Sequence, residues 1–410
     1  MSLLRRAVPA RPVALVALLV AATAAPAAHP PVPDADEITF NGWLDQSVAL
    51  NPASPADRFN GPLTWPDRSN DWELNELWVG SGRKTDGDEG RLDLGYRVDA
   101  FYGTNYRWDT SAGFETNWGT NGAFYGIAVP NCYGEASLDD WTVRCGRFIS
   151  PVGFYAVGSP NNFFAFVPYT FQYGEPFTHT GVWARRAVGD SLTVGAGVTR
   201  GWNNSDNTGN PGAGLLAEVV WTIDEAHSLA WVAVYSNEVN ESGVNRYARN
   251  GLGYTPRYLQ TLVYTRTWSD DALTVLQSDF GTQEQALPGG GLAQWYGVNT
   301  YTYWNLKQKL QWGINVEWFR DQGGFAVGQI LPSPASPNAR GWTPPGAGFD
   351  GSFVRLAIGP RWHWTDAMYL RAAFVADWYS GTRGTAGGLP FDAGRRSSQQ
   401  LLVLDLVSTF

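Results

Sequence analysis

The strongest constraint on this chain is a period of two, sustained over unusually long stretches. In 310–318, Leu310, Trp312, Ile314, Val316 and Trp318 alternate with Gln311, Gly313, Asn315 and Glu317. In 354–364, Val354, Leu356, Ile358, Pro360, Trp362 and Trp364 alternate with Arg355, Ala357, Gly359, Arg361 and His363. The stretches 368–378 and 91–102 read the same way. Successive side chains of a β-strand point to opposite faces, so each stretch is a strand with one apolar and one polar or small-residue face. Sandwiches also alternate, with the apolar face turned inward. Length separates the cases. These strands run about 10–14 residues against an ordinary 5–6, and a tilted membrane strand needs roughly 9–11.

Sixteen strands are expected, near 37–50, 70–83, 91–107, 131–138, 141–149, 177–188, 190–202, 213–223, 226–238, 256–268, 271–283, 291–305, 309–321, 350–363, 366–380 and 398–410. Connections after odd strands are mostly long, as at 51–69, 108–130, 150–176 and 322–349. Those after even strands are short, as at Asp139-Asp140, Gly189, Asp224-Glu225 and Trp364-Thr365. This asymmetry is that of an outer-membrane barrel, with short turns on the periplasmic side. The expected fold is an all-β, transmembrane, antiparallel up-and-down barrel, its third long loop folded into the lumen. Three strands resist the pattern. In strand 2, Glu76 shares a face with Trp72, Leu74 and Trp78, and strands 9 and 10 are apolar on both faces.

Composition fits a lipid-facing exterior. Charged residues are 16 % and aromatics 14 %, with 20 Trp. No apolar run reaches the roughly 18 residues of a membrane helix. Residues 1–28 read as a signal peptide: Arg5, Arg6 and Arg11, an apolar run from Val13 to about Ala22, and an Ala25-Pro26-Ala27 cleavage candidate. A Pro-rich spacer over 29–36 leads into one barrel domain, 37–410. Without those three Arg the chain carries 26 basic and 38 acidic residues, which argues against nucleic acid as a partner. Cys132 and Cys145 flank a hairpin turn; a four-residue loop from Ser137 to Asp140 would set them opposite each other. A cross-strand bridge and two buried free thiols are both compatible with that spacing.

The chain ends in Phe410, on the face of Leu402, Leu404 and Leu406. A terminal aromatic on an amphipathic strand resembles the insertion signal read by the barrel-assembly machinery, although Ser408 interrupts the stripe. Trp312, Trp362 and Trp364 fall near short-turn ends, Trp318 and Trp378 near long-loop ends. Met368 to Trp378 rises about 33 Å along the strand, or about 25 Å along the normal at a tilt near 40°, the height of the apolar band of such barrels.

Three stretches carry a family resemblance. The first is Phe59-Asn60-Gly61-Pro62, Asp67-Arg68-Ser69-Asn70 and Glu73-Leu74-Asn75. The second is Gly146-Arg147-Phe148, Pro151-Val152-Gly153-Phe154 and Ser159-Pro160-Asn161-Asn162. The third runs from Glu175-Pro176-Phe177-Thr178-His179-Thr180-Gly181 to Gly197-Val198-Thr199-Arg200-Gly201-Trp202. Together they resemble the β-barrel porin family described as OmpL-like, over essentially the whole mature chain. The resemblance implies an outer-membrane barrel with passive permeation of small hydrophilic solutes and names no solute.

The third long loop, 150–176, is the expected constriction. It holds eight aromatics (Phe154, Tyr155, Phe163, Phe164, Phe166, Tyr169, Phe171 and Tyr173) and one charge, Glu175. Exposed, such a loop would be a liability. Either its aromatics form a sliding surface for weakly polar solutes, or they pin it to the wall. Folded inward, it is expected to lie against Arg97, Arg144 and Arg185, with room left by Gly195 and Gly197. Pore-lining candidates are Arg97, Asp99, Arg144, Glu175, His179, Arg185, Arg355 and Arg371. An arginine facing lipid at midplane costs about 2–4 kcal/mol, so these point inward, where they either pair with carboxylates or select ions. His179 is expected to hydrogen-bond the loop.

Enzymatic readings are thin. His179, His227 and His363 lack the serine context of a barrel phospholipase, and Asp86-Gly87-Asp88-Glu89-Gly90 lacks the position-12 Glu of a calcium loop. No cofactor or metal is expected. The partners are outer-membrane lipid, small solutes and, during biogenesis, the assembly machinery; oligomeric state stays open. The competing class is a non-conducting barrel or a secreted β-rich carbohydrate binder.

Overall fold

The structure is a computed structural model. It describes residues 37–87, 90–118, 123–206, 213–238, 255–287, 290–327 and 348–410. The signal-peptide and spacer expectations lie outside them. Sixteen antiparallel strands close into one barrel: β1 (Thr39–Leu50), β2 (Trp72–Arg83), β3 (Asp93–Gly103), β4 (Gly126–Leu138), β5 (Trp141–Ile149), β6 (Thr178–Val188), β7 (Leu192–Thr199), β8 (Gly214–Thr222), β9 (His227–Glu238), β10 (Thr255–Ser269), β11 (Ala272–Gln283), β12 (Ala293–Lys307), β13 (Leu310–Gln322), β14 (Gly351–His363), β15 (Met368–Gly381) and β16 (Ser398–Thr409). Each strand pairs with its sequence neighbours, and β16 returns to β1 from Leu50↔Leu402 to Trp43↔Thr409. Closure removes the open edge, whose unpaired backbone groups hydrocarbon could not satisfy. At the seam Gly42 and Phe410 exchange both backbone hydrogen bonds, at 2.9 and 3.0 Å.

The outward face carries Leu77, Val79, Leu262, Leu276, Val316, Val354, Ile358, Leu370, Phe374 and Leu402, all exposed. Charged residues occupy the other face and are buried inside the barrel, among them Glu317, Arg355, Asp377 and Asp405. This inversion of the soluble pattern follows from lipid outside.

The two irregular regions now have causes. In β2 the pairing with β1 slips between Asp45 and Gln46, so that Asp45 faces Glu76 and Gln46 faces Leu74. Such a bulge re-aims side chains. Trp72 and Leu77 stay outside and exposed, while Asn75, Glu76 and Trp78 are buried inside. In β9 and β10, Val232, Val234, Leu259 and Val263 face inward, buried, and Tyr235 and Leu262 face outward, exposed. The inner set is apolar because it packs beneath other apolar groups rather than facing water.

The expected cysteine pairing is corrected. The β4–β5 turn has two residues, not four, so Cys132 sits opposite Arg147 and Cys145 opposite Gly134. The two are diagonal neighbours, about 7–8 Å apart in an antiparallel pair and beyond bridging geometry. Both are free and exposed, not buried.

Candidate functional site

The segment joining β5 to β6 contains a 3₁₀ turn at Ser159–Asn161 and a π-helical turn at Thr170–Gly174. Its composition leaves few polar side chains to satisfy its own backbone, and the wall does that work. Arg371 Nη1 donates to the carbonyls of Ser159 at 2.9 Å and Asn162 at 3.0 Å, and Nη2 to Ser159 Oγ at 2.7 Å. Arg361 donates to the same Asn162 carbonyl. Arg355 Nη1 reaches the Val167 carbonyl at 2.7 Å. Carboxylates hold the N–H groups. Glu317 accepts from Tyr169 N at 2.9 Å and Thr170 N at 2.7 Å, capping the π-turn, and Glu76 accepts from Ser159 N at 3.1 Å. Buried polar groups must find such partners or cost about 1–3 kcal/mol each.

The aromatics complete the clamp. Phe163 stacks on Tyr303 at 4.6 Å, Tyr169 packs on Phe353 at 4.9 Å, and Phe154 and Tyr155 lie 5.2 and 5.5 Å from Tyr301. A large aromatic buries about 150–250 Å², some 4–6 kcal/mol of gross transfer free energy at about 25 cal/mol per Å². The segment is also held from the first long loop: Thr64 donates to Gln172 at 2.6 Å and Tyr173 to the Pro62 carbonyl at 2.9 Å. At its ends His179 Nε2 meets Ser150 Oγ at 3.1 Å and Nδ1 meets the Gly201 carbonyl at 3.2 Å.

Glu175 does not face Arg97, Arg144 or Arg185. It accepts from Gln277 Nε2 on β11 at 2.5 Å, and its carboxylate fills the space beside Gly153, whose φ of +78° suits glycine. Burial, reinforced by the adjacent Asp279 carboxyl, pushes the Glu175 carboxyl well above the usual range. Apart from its ends, the segment's hydrogen bonds and ring contacts to strands run to β11–β15 and β2.

The wall from β3 to β8 differs. Arg97 pairs with Asp99, Arg144 with Glu135 at 2.7 Å and Arg185 with Glu218 at 2.7 Å; Arg83 at the short-turn end pairs with Asp93 at 2.8 Å. Between 20 and 24 % of each of these arginine side chains is exposed, against 1–13 % of the carboxylates. Trp183 lies between Arg144 and Arg185, 5.4 and 5.1 Å from their guanidinium carbons, and Arg144 also covers Tyr133 at 4.2 Å. The room at Gly195 goes to this wall, not to the segment: a Cβ there would come 2.9 Å from Trp183 Nε1 and 3.0 Å from Glu218 Oε2.

The expected lining residues thus separate. Arg97, Arg144 and Arg185 are partly open, with Asp99 behind Arg97. Glu175, His179, Arg355 and Arg371 are buried and hold the segment or its ends. Sequence reasoning missed Gln277 on β11, Tyr301 and Tyr303, whose alternation within β12 was a readable signal, and Glu135, Glu218, Tyr133 and Trp183 on the open wall.

Among solved structures, the barrel resembles OmpT of Vibrio cholerae (TM-score 0.57, 10 % identity, 93 % of this chain and 100 % of that one). It also resembles the channel DcaP of Acinetobacter baumannii (0.58, 8 %, 91 % and 97 %) and an anion-selective porin from Comamonas acidovorans (0.59, 11 %, 91 % and 99 %). At such identities the likeness is one of fold. No curated protein matches the chain in sequence. Residues 37–410 match the family described as "Putative beta-barrel porin-2, OmpL-like". The chain therefore belongs to the OmpL-like β-barrel porins and is a porin-like barrel of the outer membrane.

Proposed function

We propose that the protein is a passive diffusion channel for small hydrophilic solutes, delivered by its N-terminal signal peptide and inserted by the barrel-assembly machinery. The segment from Ser150 to Phe177 lies within the lumen, occupies the β11–β2 side and sets the narrowest section, so the passage runs along β3–β8. One observation carries this reading: the inward arginines of β14 and β15 are spent on the segment's carbonyls, whereas those of β3, β5 and β6 keep part of their surface open.

The test is conductance of the purified protein in a planar bilayer, before and after residues 159–170 are replaced by a short Gly/Ser linker. The shortened protein, provided it still shows the heat-modifiable mobility of a folded barrel, is expected to conduct at least twofold more. An assembled variant whose conductance equals wild type removes the segment as the constriction. Wild-type protein that assembles and passes no current removes the channel itself and leaves a sealed barrel.

A further inference from the structure

We propose that the open wall of β3–β8 is an anion track, which favours small anions such as halides and short carboxylates over cations. This rests on the channel reading above. Each arginine–carboxylate pair on this wall is neutral in sum, yet it is a dipole of fixed sense. The Asp99, Glu135 and Glu218 side chains are 2, 13 and 1 % exposed, while Arg97, Arg144 and Arg185 keep 23, 24 and 21 %. A solute beside the wall meets the guanidinium first and the carboxylate through it. Because the Coulomb term falls with distance, the nearer positive end dominates.

Hydrogen bonding points the same way. A guanidinium has five N–H donors and no acceptor. Arg144 uses Nε and Nη2 on Glu135, and Arg185 uses Nε and Nη2 on Glu218. Arg97 uses Nε and Nη2 on Asp99 and Asn41. In all three, Nη1 has no partner among the described residues, which leaves donors suited to an anion and unsuited to a cation. The geometry is held firm. Trp183 is buried between two of the guanidinium groups, and Arg97 Cδ lies 2.9 Å from where a Cβ on Gly82 would stand, so that glycine makes the space it lies in.

The carboxylates elsewhere inside the barrel do not counter this. Asp45, Glu76, Glu175, Asp279, Glu317, Asp377 and Asp405 are all at most 2 % exposed, so none of them presents a charge to the passage.

The experiment is the reversal potential of the purified protein in a planar bilayer across a tenfold KCl gradient. Wild type is expected to pass chloride over potassium by about threefold or more at low salt, and less at 1 M, where the Debye length falls to about 3 Å. Replacing Arg97, Arg144 and Arg185 together by Gln should bring the ratio to one or below. Glu135→Gln and Glu218→Gln, which uncover a net positive charge, should raise it, and they keep the test open if the triple variant fails to assemble. A wild-type channel that conducts but prefers potassium, or whose ratio the Glu→Gln variants leave unchanged, overturns the anion track and leaves the channel reading standing. Absence of any current overturns both.

Discussion

The two halves of the barrel wall use the same chemistry for different ends. On β14–β16, Arg355 pairs with Asp377 at 2.7 Å and Arg371 with Asp405 at 2.6 Å. On β4–β8, Arg144 pairs with Glu135 and Arg185 with Glu218, both at 2.7 Å. The distances match, and each pair is an arginine with a carboxylate, Asp in the first case and Glu in the second. The difference lies in what covers them. The first pairs are sealed under a connection some 200 residues away in sequence, and the second are not. Whether an inward arginine is structural or faces solution is thus decided by a distant loop and not by its own strand.

Stability separates the halves most sharply. Arg371→Met strips the Ser159 carbonyl of its side-chain donor, leaves the Asn162 carbonyl to Arg361 alone, and leaves Asp405 and Asp45 buried without their cation. Breaking a buried pair costs about 3–5 kcal/mol, so the urea midpoint of the refolded barrel should fall steeply, or assembly should fail. A midpoint within error of wild type would mean that the clamp is not holding the segment.

A pH series gives a smaller effect with a definite sign. The folded-state carboxyl of Glu175 titrates above its unfolded value of 4.5, so the folded protein binds the extra proton. Stability should therefore be full below about pH 4.5 and decline as pH rises through the folded value, at up to about 1.4 kcal/mol per unit. Glu175→Gln, which keeps the Gln277 contact region neutral, should flatten that decline. An unchanged slope in the variant would assign the dependence to another group.

Arg185→Met should do least. Its guanidinium is partly open, so water can reach the Glu218 carboxylate left behind, and no segment carbonyl loses a donor; the loss should stay below that of Arg371→Met. A loss matching that of Arg371→Met would erase the distinction between the two walls.

Much of the barrel was legible in the chain. All sixteen strands form near where the period of two and the alternating turns put them, because lipid on one side enforces the alternation, although β3 stops at Gly103 rather than 107 and β4 begins at Gly126 rather than 131. What the period could not show is where it slips. Glu76 looked out of place because a bulge in β2 leaves the parity of Trp72 and Leu74 behind. β9 and β10 looked two-faced because their inner face packs under apolar groups. The aromatic content of 150–176 announced burial, but nothing local said against which wall. The segment lies away from Arg97, Arg144 and Arg185, since its carbonyls need donors that are not already spent on carboxylates, and Arg355, Arg361 and Arg371 supply them.

The clamp also has a mechanical consequence. A barrel of hairpins pulled from one end comes apart two strands at a time, each hairpin resisting through its own ladders. Here β11, β13, β14 and β15 are all tied to a single strap, through Gln277, Glu317, Arg355, Arg361 and Arg371. Drawn out of a membrane by its C-terminal end, the protein should therefore yield in one large step rather than hairpin by hairpin, and the β3–β8 remainder should then unravel at lower force.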